Sequence, residues 1–261
     1  MSAIIIEDRV VHYEVLGRGK PVIFLHGWVG SWRYWIPTMQ ATSVTYRAYA
    51  VDLWGFGDSA KSADRYSLES QTNLLDRFLN EMGIAKVALV GHGLGAIVAA
   101  LFASKHPFVV DRYMAIGMPF TPADLNERMA SGNIADLAGW LLAQNPSTEA
   151  ARTEAPKADG EAIRTSLTEL QHIDMMAISR QMGTAALIVH GQNDPAVKTP
   201  NLSNGSLPGS SHHLIFEEVG HFPMLDQPSK FHRLLSDFLE LGSGESPQQL
   251  QLKDEWKRRV R

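Results

Sequence analysis

The 261 residues contain no cysteine, which excludes a disulfide framework and any thiolate metal site. That composition suits a reducing compartment, and the chain is expected in the cytoplasm. A dominant charge is also missing. With 24 basic and 28 acidic side chains the formal net charge is −4 and the pI about 6.2, so nothing marks a nucleic-acid partner. The third absence is a long uninterrupted apolar run. The longest stretch, residues 87–103, is broken by Gly91, His92, Gly93 and Gly95, the pattern of a strand, turn and helix rather than a membrane span. The early run Ile4–Ile6 is too short for a signal-peptide core and is followed at once by Glu7 and Asp8. Internal repeats are lacking, and Gly91-His92-Gly93-Leu94-Gly95 has neither dinucleotide-fingerprint spacing nor the lysine of a phosphate loop.

What is present is an alternation of short β-branched runs with helix-like stretches, the signature of an α/β fold with a mostly parallel sheet between helices. Runs at Ile4–Ile6, Val10–Val15 and Val22–Leu25 are joined by short turns, including Gly17-Arg18-Gly19, and predict a sheet that begins with antiparallel strands. Further strands are expected at Ala48–Val51, Val87–Val90, Tyr113–Ile116, Ala186–His190 and Leu214–Glu217. Leu74, Leu75, Phe78, Leu79 and Met82 share one face of a helix from Ser67 to Met82, and a last core helix starts near Pro228. The texture changes between Met118 and Met182, where strand patterns stop. Thr121-Pro122-Ala123-Asp124 reads there as a helix start. Four segments follow: a first core part at 1–117, a helical lid insertion at 118–182, a second core part at 183–242, and a tail at 243–261. The tail opens with a linker composition, Gly242 to Pro247, and its basic end reads as a solvated helix.

Chemistry-bearing residues cluster where strands end. Phe24-Leu25-His26-Gly27-Trp28 closes one strand, and Asp52 to Ser59 forms a glycine-rich turn after the next. Val90-Gly91-His92-Gly93-Leu94-Gly95 joins a strand to a helix; His190-Gly191-Gln192-Asn193-Asp194-Pro195 and Gly220-His221-Phe222-Pro223 follow later. In this order, across roughly two hundred residues, the chain resembles the α/β-hydrolase family over nearly its whole length, in the esterase and lipase manner. The resemblance implies an α/β-hydrolase fold, with His221 as general base and Asp194 as the acid that fixes its tautomer. It places the oxyanion donors on the backbone N–H groups of Trp28 and Leu94. It implies no cofactor and no metal. His26 is expected to shape its loop, His92 to point behind the turn, and Ser31 and Ser59 to support local structure. Trp28, Trp32 and Trp35 read as core, with Trp28 also able to line a pocket.

The departure from the family falls on the reacting atom: Gly93 stands where the family places its nucleophilic serine. Glycine carries no nucleophile, so covalent acyl transfer from this position is impossible. Glycine does reach positive φ without strain, so the turn is expected to survive. The missing hydroxymethyl group is expected to leave room for a water beside His221. Three readings stay open: a carboxylic-ester-hydrolase framework limited to slow His-Asp-assisted hydrolysis, a non-catalytic binder of a small ligand, and a non-hydrolytic enzyme using His221–Asp194 as base. The expected partner is a small apolar, acyl-containing ligand lined by insertion residues such as Met118, Phe120 and Leu137, with no nucleic acid and no membrane.

Overall fold

The computed structural model describes residues 2–131, 133–202, 206–242 and 245–252. Eight strands form one sheet in the order β1-β2-β4-β3-β5-β6-β7-β8. β1 (Ser2–Ile6) and β2 (Arg9–Leu16) pair antiparallel, and β2 pairs antiparallel with β4 (Tyr46–Val51). From β4 onward, β3 (Lys20–Leu25), β5 (Val87–His92), β6 (Val110–Ile116), β7 (Ala185–Gly191) and β8 (Ser211–Phe216) are all parallel. The antiparallel start expected from the glycine turn is therefore present, and so is the parallel core. β5 is buried along its whole length, as a strand covered on both faces must be.

The helices form because their apolar residues recur at helical spacing. α2 (Leu68–Glu81) is capped by Ser67, whose side chain accepts the Ser70 N–H, and it buries Leu74, Leu75, Phe78 and Leu79. α9 (Pro228–Glu240) buries Phe231, Leu234, Leu235 and Phe238, each worth about 1.5–3 kcal/mol of apolar burial. α3 (Leu94–Lys105) lies inside the protein, buried on nearly every side, and its alanines let it sit close to the sheet. α1 (Ile36–Thr42) packs on α9 and β4, and the four-residue α8 (Pro223–Asp226) on α9. Between β6 and β7 the chain runs through α4 (Ile134–Leu141), α5 (Glu149–Glu154), α6 (Gly160–Leu170) and α7 (Met175–Gln181). None of the described helices is long and apolar enough to cross a membrane.

Three local expectations are corrected. Thr121-Pro122-Ala123-Asp124 forms a capping box, but only one 3-10 turn, Pro122–Asp124, follows it. Leu125 leaves that turn extended and bridges Val197, so the backbone is drawn into a tertiary contact instead of a helix. β8 begins at Ser211, three residues before the expected start, because pairing with β7 organises the polar run that apolar patterning cannot register. The stretch expected as a linker is partly structured. Ser246 Oγ bonds Gly209 O, Pro247–Gln249 form a 3-10 turn, and His212 Nε2 bonds Leu250 O. The basic end of the tail, 253–261, lies outside the described residues.

Candidate active site

The sharp turn at Gly93 is built by close approach. A Cβ on Gly91 would lie 2.3 Å from Gly95 O, and one on Gly95 would lie 2.4 Å from Leu25 O. Only glycine at both positions lets β5, α3 and β3 meet this tightly. Gly93 itself has φ 51° and ψ −112°, a conformation that strains any side chain. Its N–H donates to Ile116 O, and its carbonyl accepts from Ala96 and Ile97, starting α3.

Asp194 follows β7, and His221 follows β8 just before α8. The structure brings them together: His221 Nδ1 and Asp194 Oδ2 are 2.8 Å apart, and each side chain is about 1% exposed. Asp194 Oδ1 accepts the N–H groups of Ala196 (2.8 Å) and Val197 (3.1 Å). Burial alone would raise the Asp194 pKa, but His221 and these two N–H groups together hold it below the ordinary carboxylate value. Gly117, at the end of β6, leaves space for the pair. A Cβ there would lie 3.4 Å from His221 Cε1 and 3.6 Å from Asp194 Oδ2. With Nδ1 turned to the carboxylate, Nε2 is the ring nitrogen left for proton transfer.

The loop after β3 lies against the turn. Gly27 Cα is 3.4 Å from where a Gly93 Cβ would stand. Among the described residues the backbone N–H groups of Trp28 and Leu94 make no backbone hydrogen bond. The expectation of an open space at Gly93 is overturned. A Gly93 Cβ would lie 2.9 Å from Trp28 Cε3 and 3.0 Å from Cζ3, so the indole takes the volume of the missing side chain. Trp28 is buried, and its Nε1–H donates to Ser166 Oγ on α6 at 3.1 Å.

Two histidines flanking the motifs are fully engaged. Gly27 N–H donates to Tyr34 Oη (2.7 Å), Tyr34 donates on to His92 Nδ1 (3.0 Å), and His92 Nε2–H donates to His221 O (2.9 Å). This chain of bonds ties the β3 loop to the His221 loop across β5. Burial first, and then His221, push His92 well below the usual histidine range, keeping it neutral and the bonds one-directional. His26 accepts the Leu53 N–H at Nε2 and faces Gly27 O through Nδ1, shaping its loop as expected. Sequence reasoning missed Tyr34, Gly117 and Ser166. Each lies far from the motifs in the chain or carries no motif of its own.

His12, Asp52 and Asp58 are the one group among the described residues with donor atoms close enough for a metal. The Asp52 carboxylate is already bonded to the N–H groups of Trp32 and Asp58 and to His12, so it serves the turn after β4.

Similarity to known proteins agrees with this geometry. Residues 20–161 match the family described as alpha/beta hydrolase fold. The chain is 32% identical over 108 residues to a soluble epoxide hydrolase from a Corynebacterium species, covering 41% of this chain and 38% of that one. It thus spans well under half the length of that relative. Among solved structures, an esterase from Exiguobacterium antarcticum superposes with a TM-score of 0.81 at 20% identity, covering 92% and 99% of the two chains. A mutant N-acyl homoserine lactonase with glycine in place of a serine, complexed with N-hexanoyl homoserine lactone, gives 0.80 at 19%, covering 91% and 96%. The chain belongs to the α/β-hydrolase family.

Proposed function

We propose that the protein is a carboxylic-ester-hydrolase framework from which covalent acyl transfer has been removed, and that it binds a small apolar acyl compound. The observation that carries this reading is the buried 2.8 Å contact between His221 and Asp194. A carboxylate held by two N–H donors and aimed at one imidazole nitrogen prepares the other nitrogen as a base. The Trp28 and Leu94 N–H groups serve as oxyanion donors for a bound acyl carbonyl. The lactonase with glycine replacing a serine, complexed with N-hexanoyl homoserine lactone, supports binding of an acyl ligand on a related fold.

Any hydrolysis then runs through water. His221 Nε2 takes a proton as the water oxygen bonds to the ester carbonyl carbon. The two N–H groups hold the oxyanion. Collapse breaks the bond to the alkoxide, which receives the proton from His221. Loss of a serine nucleophile from a serine hydrolase costs about 10⁶ in turnover and leaves roughly 10³–10⁴ over water. The protein is accordingly expected to hydrolyse p-nitrophenyl butyrate slowly, and His221→Ala to remove that activity. Activity that survives the substitution unchanged would reject His221 as the base.

The non-hydrolytic alternative draws on a separate observation, the Trp28 indole 2.9 Å from the Cβ position of Gly93, which crowds the side of the site from which a water would attack. Its mark is His221-dependent proton exchange from a carbon acid in the absence of ester turnover.

A further inference from the structure

We propose that Trp28 is the gate and the specificity-determining residue of this site, and that it is matched to Gly93. This rests on the reading of the site as an acyl-ligand pocket. Three observations meet here. The indole lies 2.9–3.0 Å from where any side chain at position 93 would begin. It is pinned from the far side by Ser166 Oγ, whose own hydroxyl donates to Ile163 O within α6. The His221–Asp194 pair below it is sealed, each side chain about 1% exposed.

The two largest cavities described, about 700 and 580 Å³, share Lys86, Asp111 and Arg112 at the opposite ends of β5 and β6. Neither is lined by Gly93, Trp28, Asp194 or His221. On this proposal a ligand reaches His221 by displacing the indole and breaking its bond to Ser166. The space so opened is flat and apolar, and suits a planar or short-chain acyl group of about the indole's size.

The pin makes the gate depend on α6. That helix is fixed to the core: a Cβ on Gly55 would lie 2.7 Å from Ala162 Cβ, and the Glu169 carboxylate accepts the Leu68 N–H at 2.6 Å. The gate thus opens against a held helix, and only a ligand that replaces the apolar contact of the indole keeps it open. The same geometry states what a serine at position 93 would meet. Restoring the nucleophile without changing Trp28 puts its Cβ against the ring.

The test is a double-substitution cycle over Gly93 and Trp28, read two ways. In melting experiments Gly93→Ala is expected to cost at least about 3 °C more beside Trp28 than beside Trp28→Leu, since backbone strain is common to both and the ring clash is not. Equal losses in the two backgrounds would overturn the pairing. In hydrolysis of p-nitrophenyl butyrate, Gly93→Ser with Trp28→Leu is expected to exceed Gly93→Ser alone by about 100-fold or more. A single Gly93→Ser substitution as fast as the pair would also overturn it. If Trp28→Leu does not fold, Ser166→Ala removes the pin alone, and both comparisons are made in that background. If the serine variants fold and hydrolyse nothing, the hydrolytic reading fails, while the melting cycle still decides the gate.

Discussion

Tyr34 Oη accepts the Gly27 N–H and donates to His92, so one hydroxyl satisfies two buried polar groups, one in the loop after β3 and one on β5. Tyr34→Phe keeps the ring and leaves both groups without a partner, at a cost of about 1–3 kcal/mol. The expected result is a urea midpoint lowered by that amount, and a slower His221-dependent reaction as the two loops lose their tie. An unchanged midpoint would mean that water replaces the hydroxyl. Asp194→Asn is the complementary case. It preserves shape but removes the charge that orients His221, and any His221-dependent rate is expected to fall at least about 10-fold, with a lower melting temperature at neutral pH as the stabilisation by the paired carboxylate is lost. Gly93 was legible in the sequence as a departure at one atom. Trp28 filling that atom's place was not, because the contact joins residues 65 positions apart through a fold.

At the level of elements, the lid segment is held by charge as well as by apolar packing. Glu154, at the end of α5, is buried and bonds Arg33 at 2.9 Å, Lys157 at 3.0 Å and Ser31 Oγ at 3.2 Å. Arg33 and Lys157 keep a water-facing side, which discounts their share of the attraction. Glu154→Ala is expected to loosen α5 and α6 locally, raising amide exchange in both by about 10-fold or more while β5 and α3 exchange as before. Uniform loss of protection across the sheet would place Glu154 in the global core instead. The elements that hold the site were readable: β5, the turn at Gly93 and α3 combine an apolar run with glycines at fixed offsets, and α9 shows helical periodicity. The start of β8 and the turn at Pro122 were not, since a polar edge strand and a capping box broken by a bridge owe their form to neighbours.

For the whole molecule, two buried histidines outside the site contribute to the pH dependence, beside His92 and His26, whose pKa values burial also lowers. His190 Nδ1 lies 3.1 Å from His213 Nε2, and His190 Nε2 faces Met118 O. Burial first of all holds both down to about 4 from an ordinary 6.5. For a base with a lowered folded pKa, the unfolded chain takes up the proton first. Stability is therefore full above pH 6.5 and is lost as pH falls from 6.5 to 4, a shift of that size corresponding to roughly 3 kcal/mol for the first proton of the pair. Urea midpoints are expected to decline across that window, and less steeply in His213→Phe. A flat midpoint would show that both rings take up their protons in the folded protein as readily as in the unfolded chain. Asp194 acts in a different window, because its folded pKa is lowered below about 3.8. Its stabilisation holds above that value and is lost only below it.

Sequence by itself determined the fold family, the strand-ending motifs and the identity of His221, Asp194 and Gly93, because backbone turns demand particular residues at fixed local offsets. It also determined that glycine, not serine, stands at position 93 of the turn, since a missing side chain needs no structure to be seen. Only the tertiary structure decided that His221 and Asp194 meet, that Tyr34 and His92 tie their loops, and that Trp28 occupies the space above Gly93. Those are distances between residues far apart in the chain, set by how eight strands align and by where α6 lies. No local pattern encodes them.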